Sequence, residues 1–137
     1  MKLTKAQREQ LRQMFGGRCA YCGEPLPNRW HADHREAVVR AVIPKEMPNG
    51  RYKLVSGDPH FPERDTLENM MPSCPPCNID KSMMSLESWR QKLARSVEVL
   101  VNNYPTYRHA KRFGLIEETG AAIVFYFERV AAQQEAA

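Results

Sequence analysis

The chain has 137 residues, 42% hydrophobic and 26% charged, with a net charge of +4. That size fits one domain, and no apolar run approaches the ~20 residues that a membrane-spanning helix needs. The opening MKLTKAQREQLRQMF has no signal-peptide core, so a cytosolic location is expected, where disulfides are disfavoured. The positive balance mildly favours a polyanionic partner.

Thr4 to Phe15 is expected to be a helix. Thr4 and Gln7 make a capping box, Leu11, Met14 and Phe15 an apolar edge, and Gly16-Gly17 a stop. Cys19-Ala20-Tyr21-Cys22 follows, then the turn GEPLPN. Residues 29–43, RWHADHREAVVRAVI, suit extended structure, with polar side chains dense in the first half. Residues 44–66 are rich in Pro, Gly and charge and read as a long loop, and such a loop in a compact domain usually serves a function. Residues 85–103 read as one amphipathic helix capped by Ser85, with Leu86, Trp89, Leu93, Val97 and Leu100 at three- and four-residue steps. Residues 105–114, PTYRHAKRFG, read as a short basic helix between Pro105 and Gly114. Residues 121–128, AAIVFYFE, are β-prone and read as a late strand, and the tail VAAQQEAA frays or extends as helix.

The four cysteines form two matched pairs, Cys19-x-x-Cys22 and Cys74-x-x-Cys77. A pair two residues apart places both thiolates on one tetrahedral ion, and two such pairs complete a four-cysteine zinc site. A redox pair would want a βαβ context, which neither side offers. Residues 23–73 lie between the pairs, far more than the ~15–20 residues of common zinc ribbons. The ion therefore pins the two ends of a long insert, and the insert should contain the function.

Inside it lie His31-Ala32-Asp33-His34 and Asn69. Asn78 follows the last cysteine directly. An adjacent carboxylate and imidazole are what a metal-assisted hydrolase needs, the first to hold a divalent ion and the second to take a proton from water. A lone Asp-His pair is more often a surface ion pair, but this one has company. Asp33-His34, Asn69 a few residues before Cys74, and Cys77-Asn78 with Lys81 three residues on, all framed by the earlier Cys pair, resemble the HNH endonuclease family in its zinc-knuckle form. The resemblance covers residues 15–85. Beyond Trp89 the chain also looks like the C-terminal extension of small phage-type HNH proteins.

The resemblance implies an α+β fold: a ββα-metal core with its zinc site, flanked by the N-terminal helix and a C-terminal helical and strand extension (residues 86–137), all one domain over 1–137. It implies that His34 is the general base, that Asp33 and Asn78 bind the catalytic ion, and that Asn69 staples the loop and orients His34. The family's last position is usually His. Asn in its place puts a carboxylate and an amide oxygen on the ion, hard ligands that favour Mg²⁺ or Mn²⁺. A second departure is Asp33-His34-Arg35-Glu36, where the family shows an apolar residue and a proline soon after the His. The implied reaction is one-metal phosphodiester hydrolysis leaving 5′-phosphate and 3′-hydroxyl ends, with DNA as the expected partner and RNA open.

Other residues have two readings each. His31 contacts phosphate or metal, or makes an ordinary hydrogen bond. His60 is a loop residue or a partner of the site. Lys81 meets the scissile phosphate or is a solvated helix residue. Arg90, Lys92, Arg95, Arg108, Lys111 and Arg112 make the C-terminal half basic, and Arg108, Lys111 and Arg112 are the candidates for the nucleic-acid backbone. The expected function is a DNA endonuclease, monomer or homodimer. The alternatives are a silent zinc-stabilised nucleic-acid-binding module or a component of a phage packaging assembly.

Overall fold

A computed structural model describes residues 1–137. Helix α1 (Lys5–Arg12) starts at the expected capping box: Thr4 Oγ1 accepts from the Gln7 N–H at 3.1 Å, and Gln7 Oε1 accepts from the Thr4 N–H at 3.0 Å. A 3-10 turn (Gln13–Phe15) tightens its end, and Gly16 (φ 62°) closes it in the left-handed region that glycine adopts freely.

Strand β1 (His31–His34) pairs antiparallel with strand β4 (Met70–Ser73) in the register His31–Ser73 to His34–Met70. All four β4 residues are buried, and helix α2 (Pro75–Lys81) follows at once. Two antiparallel strands and a short helix therefore sit together although residues 35–69 separate the strands.

Between them, strands β2 (Arg40–Glu46) and β3 (Tyr52–Pro59) form a separate antiparallel hairpin. This corrects the long loop expected over 44–66. Its Pro and Gly are hairpin parts, not breakers. Gly50 turns the chain at φ 78°, its N–H donates to Met47 O at 2.9 Å, and Asn49 Oδ1 caps the Arg51 N–H at 3.0 Å. Pro44 is tolerated because a two-stranded ribbon leaves edge positions with no second neighbour.

The expected helix over 85–103 is two helices, α3 (Leu86–Ala94) and α4 (Ser96–Asn103), broken at Arg95. Trp89 is buried, but beyond the break Val97 and Leu100 turn to solvent. Helix α5 (Pro105–Arg112) starts and ends as read. The strand expected over 121–128 does not form: residues 121–125 are irregular, and helix α6 (Tyr126–Ala136) begins where the strand should end. The Tyr126 and Phe127 N–H groups donate instead to Tyr21 O (2.9 Å) and Ala20 O (2.8 Å), and the Glu128 carboxylate accepts from the Phe125 N–H.

The core explains this exchange. Phe125 stacks on Trp89 (centroids 5.1 Å apart), and Tyr21 meets both rings edge-on. Leu11, Trp30, Met70 and Met71 complete the cluster. Burying Trp89 and Phe125 contributes roughly 2–3 kcal/mol each, more than a short isolated strand could return. The C-terminal segment thus packs directly on the first cysteine pair. No helix is long and apolar enough to cross a membrane.

Candidate metal centre and adjoining cleft

The two cysteine pairs are built differently. Around the first, the Cys19 N–H donates to Glu24 O (2.8 Å) and the Gly23 N–H to Cys19 O (3.0 Å). The second opens α2: Cys74 is its N-cap, and Pro75 and Pro76 occupy positions where a missing N–H costs nothing. All four sulfurs lie within 4.8 Å of one another, and Cys22 and Cys74 Sγ are 3.8 Å apart. A tetrahedral ion with bonds of about 2.3 Å sets sulfurs about 3.8 Å apart. The hydrogen bond from Cys77 draws the Cys19 thiol down to about 4. Burial pushes Cys22 up to about 11, and Cys77 is pushed up by its bond to Cys19. The cluster could hold a metal ion such as zinc.

Asp33, on β1, is buried. Its Oδ2 accepts from the Tyr21 hydroxyl at 2.5 Å and lies 3.2 Å from Lys81 Nζ. Burial pushes its carboxyl up, against the lowering pull of the Lys81 ammonium and the Tyr21 bond. Burial likewise pushes the Tyr21 phenol up. Lys81 is fully buried and also donates to His34 O at 2.8 Å. Neither reading of Lys81, phosphate contact or solvated helix residue, holds: its ammonium is spent inside the protein.

His34 Nε2 is 2.9 Å from Asp65 Oδ1, and the Met1 ammonium holds the other Asp65 oxygen at 2.7 Å. Those bonds, the ammonium's first, keep Asp65 below the usual carboxylate range. An ionised carboxylate only accepts, so His34 donates through Nε2. Sequence reasoning missed both Tyr21 and Asp65. Tyr21 carried a signal, an aromatic inside a Cys-x-x-Cys, whereas Asp65 carried none.

Asn69 sits where β4 begins. Its side chain donates to Glu36 O and Arg64 O (both 2.8 Å) and accepts from the Glu36 N–H, while its carbonyl accepts from the Arg35 N–H. The segment leaving His34 is clamped from both sides. Asn78 Nδ2 is 2.6 Å from His31 Nδ1, which leaves the amide oxygen free. His31 thus makes a hydrogen bond through Nδ1. Asp33, His34, Asn69 and Asn78 each have a partner, but none is another of the four.

Two clefts meet at His34. One of about 480 Å³ is lined by Arg8, Trp30, His31, His34 and Asn78 among others, and another of about 250 Å³ by Asp33, His34, Val39, Arg40, Ser56 and Ser82 among others. Val39 (φ 48°) and Ser82 (φ 49°) are the only non-glycine residues with positive φ, and both border the second cleft. A β-branched residue there is strained, and such strain collects at functional sites.

Arg108, Lys111 and Arg112, on α5, line neither cleft. Arg108 donates to Val101 O, Lys111 pairs with Glu118 at 3.1 Å, and Arg112 meets His109. His60 is exposed at the end of the hairpin, its N–H on Val39 O. Comparison with known proteins found no matching family profile, no curated relative and no similar solved structure.

Proposed function

We propose that this protein is a metal-dependent endonuclease of the HNH type that hydrolyses DNA phosphodiester bonds, with a structural zinc on Cys19, Cys22, Cys74 and Cys77. The observation that carries the reading is the contact of Asn78 with His31, across 47 residues. It brings the residue after the last cysteine onto the strand of the Asp-His pair, which supports reading β1, β4 and α2 as a ββα-metal core.

His34 Nδ1 takes the proton of the attacking water, while Asp65 holds the ring by Nε2. Asn69 fixes the backbone that leaves His34, and so the direction of the ring. Asp33 Oδ1 makes no bond within the protein, and the Asn78 amide oxygen is free. These two hard donors fit Mg²⁺ or Mn²⁺. A bound dication there supplies charge neutralisation on the phosphate and the leaving oxygen.

The test is cleavage of supercoiled plasmid with no added metal, Mg²⁺ or Mn²⁺, by the native chain and by His34→Ala. The expected result is metal-dependent nicking that His34→Ala lowers by at least about 100-fold with zinc still bound. One site per chain predicts nicked circles before linear DNA, and linear product at low enzyme with no nicked intermediate would refute that. One observation favours a second reading, a silent nucleic-acid-binding module: Lys81 already neutralises the Asp33 carboxylate. Plasmid retained but left intact by the native chain would establish that reading.

A further inference from the structure

The β2–β3 hairpin pairs with no other strand. No residue of either strand is buried, and backbone bonds from His60 to Val39 and from Phe61 to Val38 extend the ladder only at its base. A lone two-stranded ribbon is marginal in water, so one that leaves Val42, Tyr52 and Leu54 59–70% exposed calls for a partner.

Two features say what kind. The first is charge. The register sets Lys45 directly opposite Lys53, a like-charge pair that costs stability unless an anion lies over it. Arg40 and Arg51 add two more cations, against only Glu46 and Asp58 along the ribbon. A second copy of a +4 chain is a poor match for that surface. The second is continuity. Ser56, on the face that carries Val42 and Leu54, and Arg40, at the bulge beside it, also line the cleft of Asp33 and His34. The ribbon therefore runs outward from the candidate site.

We infer that the β2–β3 hairpin is an arm that enters a groove of duplex DNA beside the cleft, with Lys45 and Lys53 on the phosphates of one groove wall and the opposite face, with Val42, Leu54 and Tyr52, against the other wall. The inference rests on the nuclease reading for its choice of duplex. A two-stranded ribbon fits the ~12 Å major groove. Lys45 lies five residues beyond Arg40, about 17 Å at ~3.4 Å per residue, so the arm meets phosphates about five base pairs from the cleft.

The experiment titrates the zinc-loaded chain into a fluorescent 20-base-pair duplex between 50 and 200 mM salt, without added Mg²⁺ or Mn²⁺. Native protein is compared with Lys45→Gln/Lys53→Gln and with Tyr52→Ser, and melting temperatures are recorded. The double variant should bind more weakly, with a log–log salt slope shallower by about 1.8, and melt no lower than native because the cross-strand repulsion is gone. Tyr52→Ser should weaken binding and keep the slope. An unchanged slope in the double variant overturns the arm, as does binding loss that follows a drop in melting temperature. Native protein that ignores the duplex, or binds only single strands or RNA, also overturns it. The two readings separate cleanly: slope loss in a chain that never nicks plasmid keeps the arm and removes the nuclease. Nicking with an unchanged slope does the reverse.

Discussion

At Asp33, groups from three separate segments meet: Tyr21 from the first cysteine turn, Lys81 from the end of α2, and the carboxylate itself on β1. Removing one partner of a buried pair leaves an uncompensated charge, at a cost of about 3–5 kcal/mol. Lys81→Met should therefore lower stability by that amount in urea unfolding, and Lys81→Met/Asp33→Asn should recover most of the loss. If Lys81→Met unfolds like the native chain, Lys81 does not hold Asp33. Asn69→Ala removes three side-chain hydrogen bonds and should cost about 1–3 kcal/mol. It should also depress plasmid nicking at temperatures where the variant is still folded. Asn69 and Asn78 were legible because each stands at a fixed offset from a cysteine. Tyr21, Asp65 and the burial of Lys81 were not, since each acts through a partner that only the fold brings near.

Among elements, α6 is held by a clasp. Arg90 bonds Glu128 at 2.7 Å, donates to Ile123 O and lies 4.6 Å from the centre of the Phe125 ring. The Arg90 bond keeps Glu128 below the usual carboxylate range, and the Lys92 bond does the same for Asp80, which also accepts from Trp89. Carboxyls that titrate lower in the folded state give stability that is complete above pH ~4.5 and drains away below it. Glu128→Gln should thus flatten the acid side of the stability curve, read as urea midpoints at pH 7 and pH 3.5. A parallel fall in native and variant would rule the clasp out. Gly23 is a second joint, at φ 80° with the space of its missing Cβ 3.0 Å from the Tyr126 ring. Gly23→Ala should destabilise by about 1–2 kcal/mol. At this scale the chain was half legible. Caps and proline starts marked α1, α3 and α5. The hairpin hid behind prolines that β2 tolerates as an edge, although Pro48-Asn49-Gly50 marked its turn. The late strand failed because β-prone composition at 121–128 reflects aromatic burial, not pairing.

For the whole molecule, the cysteine cluster ties residues 19–22 to the start of α2, and the same residues carry the backbone bonds of α6. Metal removal should therefore loosen both ends of the chain at once. A mercurial reagent should release about one zinc per chain. A strong chelator should then abolish the cooperative melting transition seen by circular dichroism. Nicking should vanish with it even when Mg²⁺ is in excess. A chain that keeps its transition after losing zinc would show that the aromatic core suffices. Nothing in one sequence reveals that the cluster and the C-terminal segment share a support, because Tyr126 and Phe127 reach Ala20 and Tyr21 across about 105 residues.

Tyr21 belongs to two worlds, with its ring among Trp89, Phe125 and Phe127 and its hydroxyl on Asp33. The stretch from 15 to 85 looks portable, a cassette to be cut out and grafted onto another binding domain. In three dimensions it is not a cassette. A graft that ends near residue 85 strips the packing from one side of the tyrosine that steadies Asp33, so a working transplant has to carry the chain through Glu128.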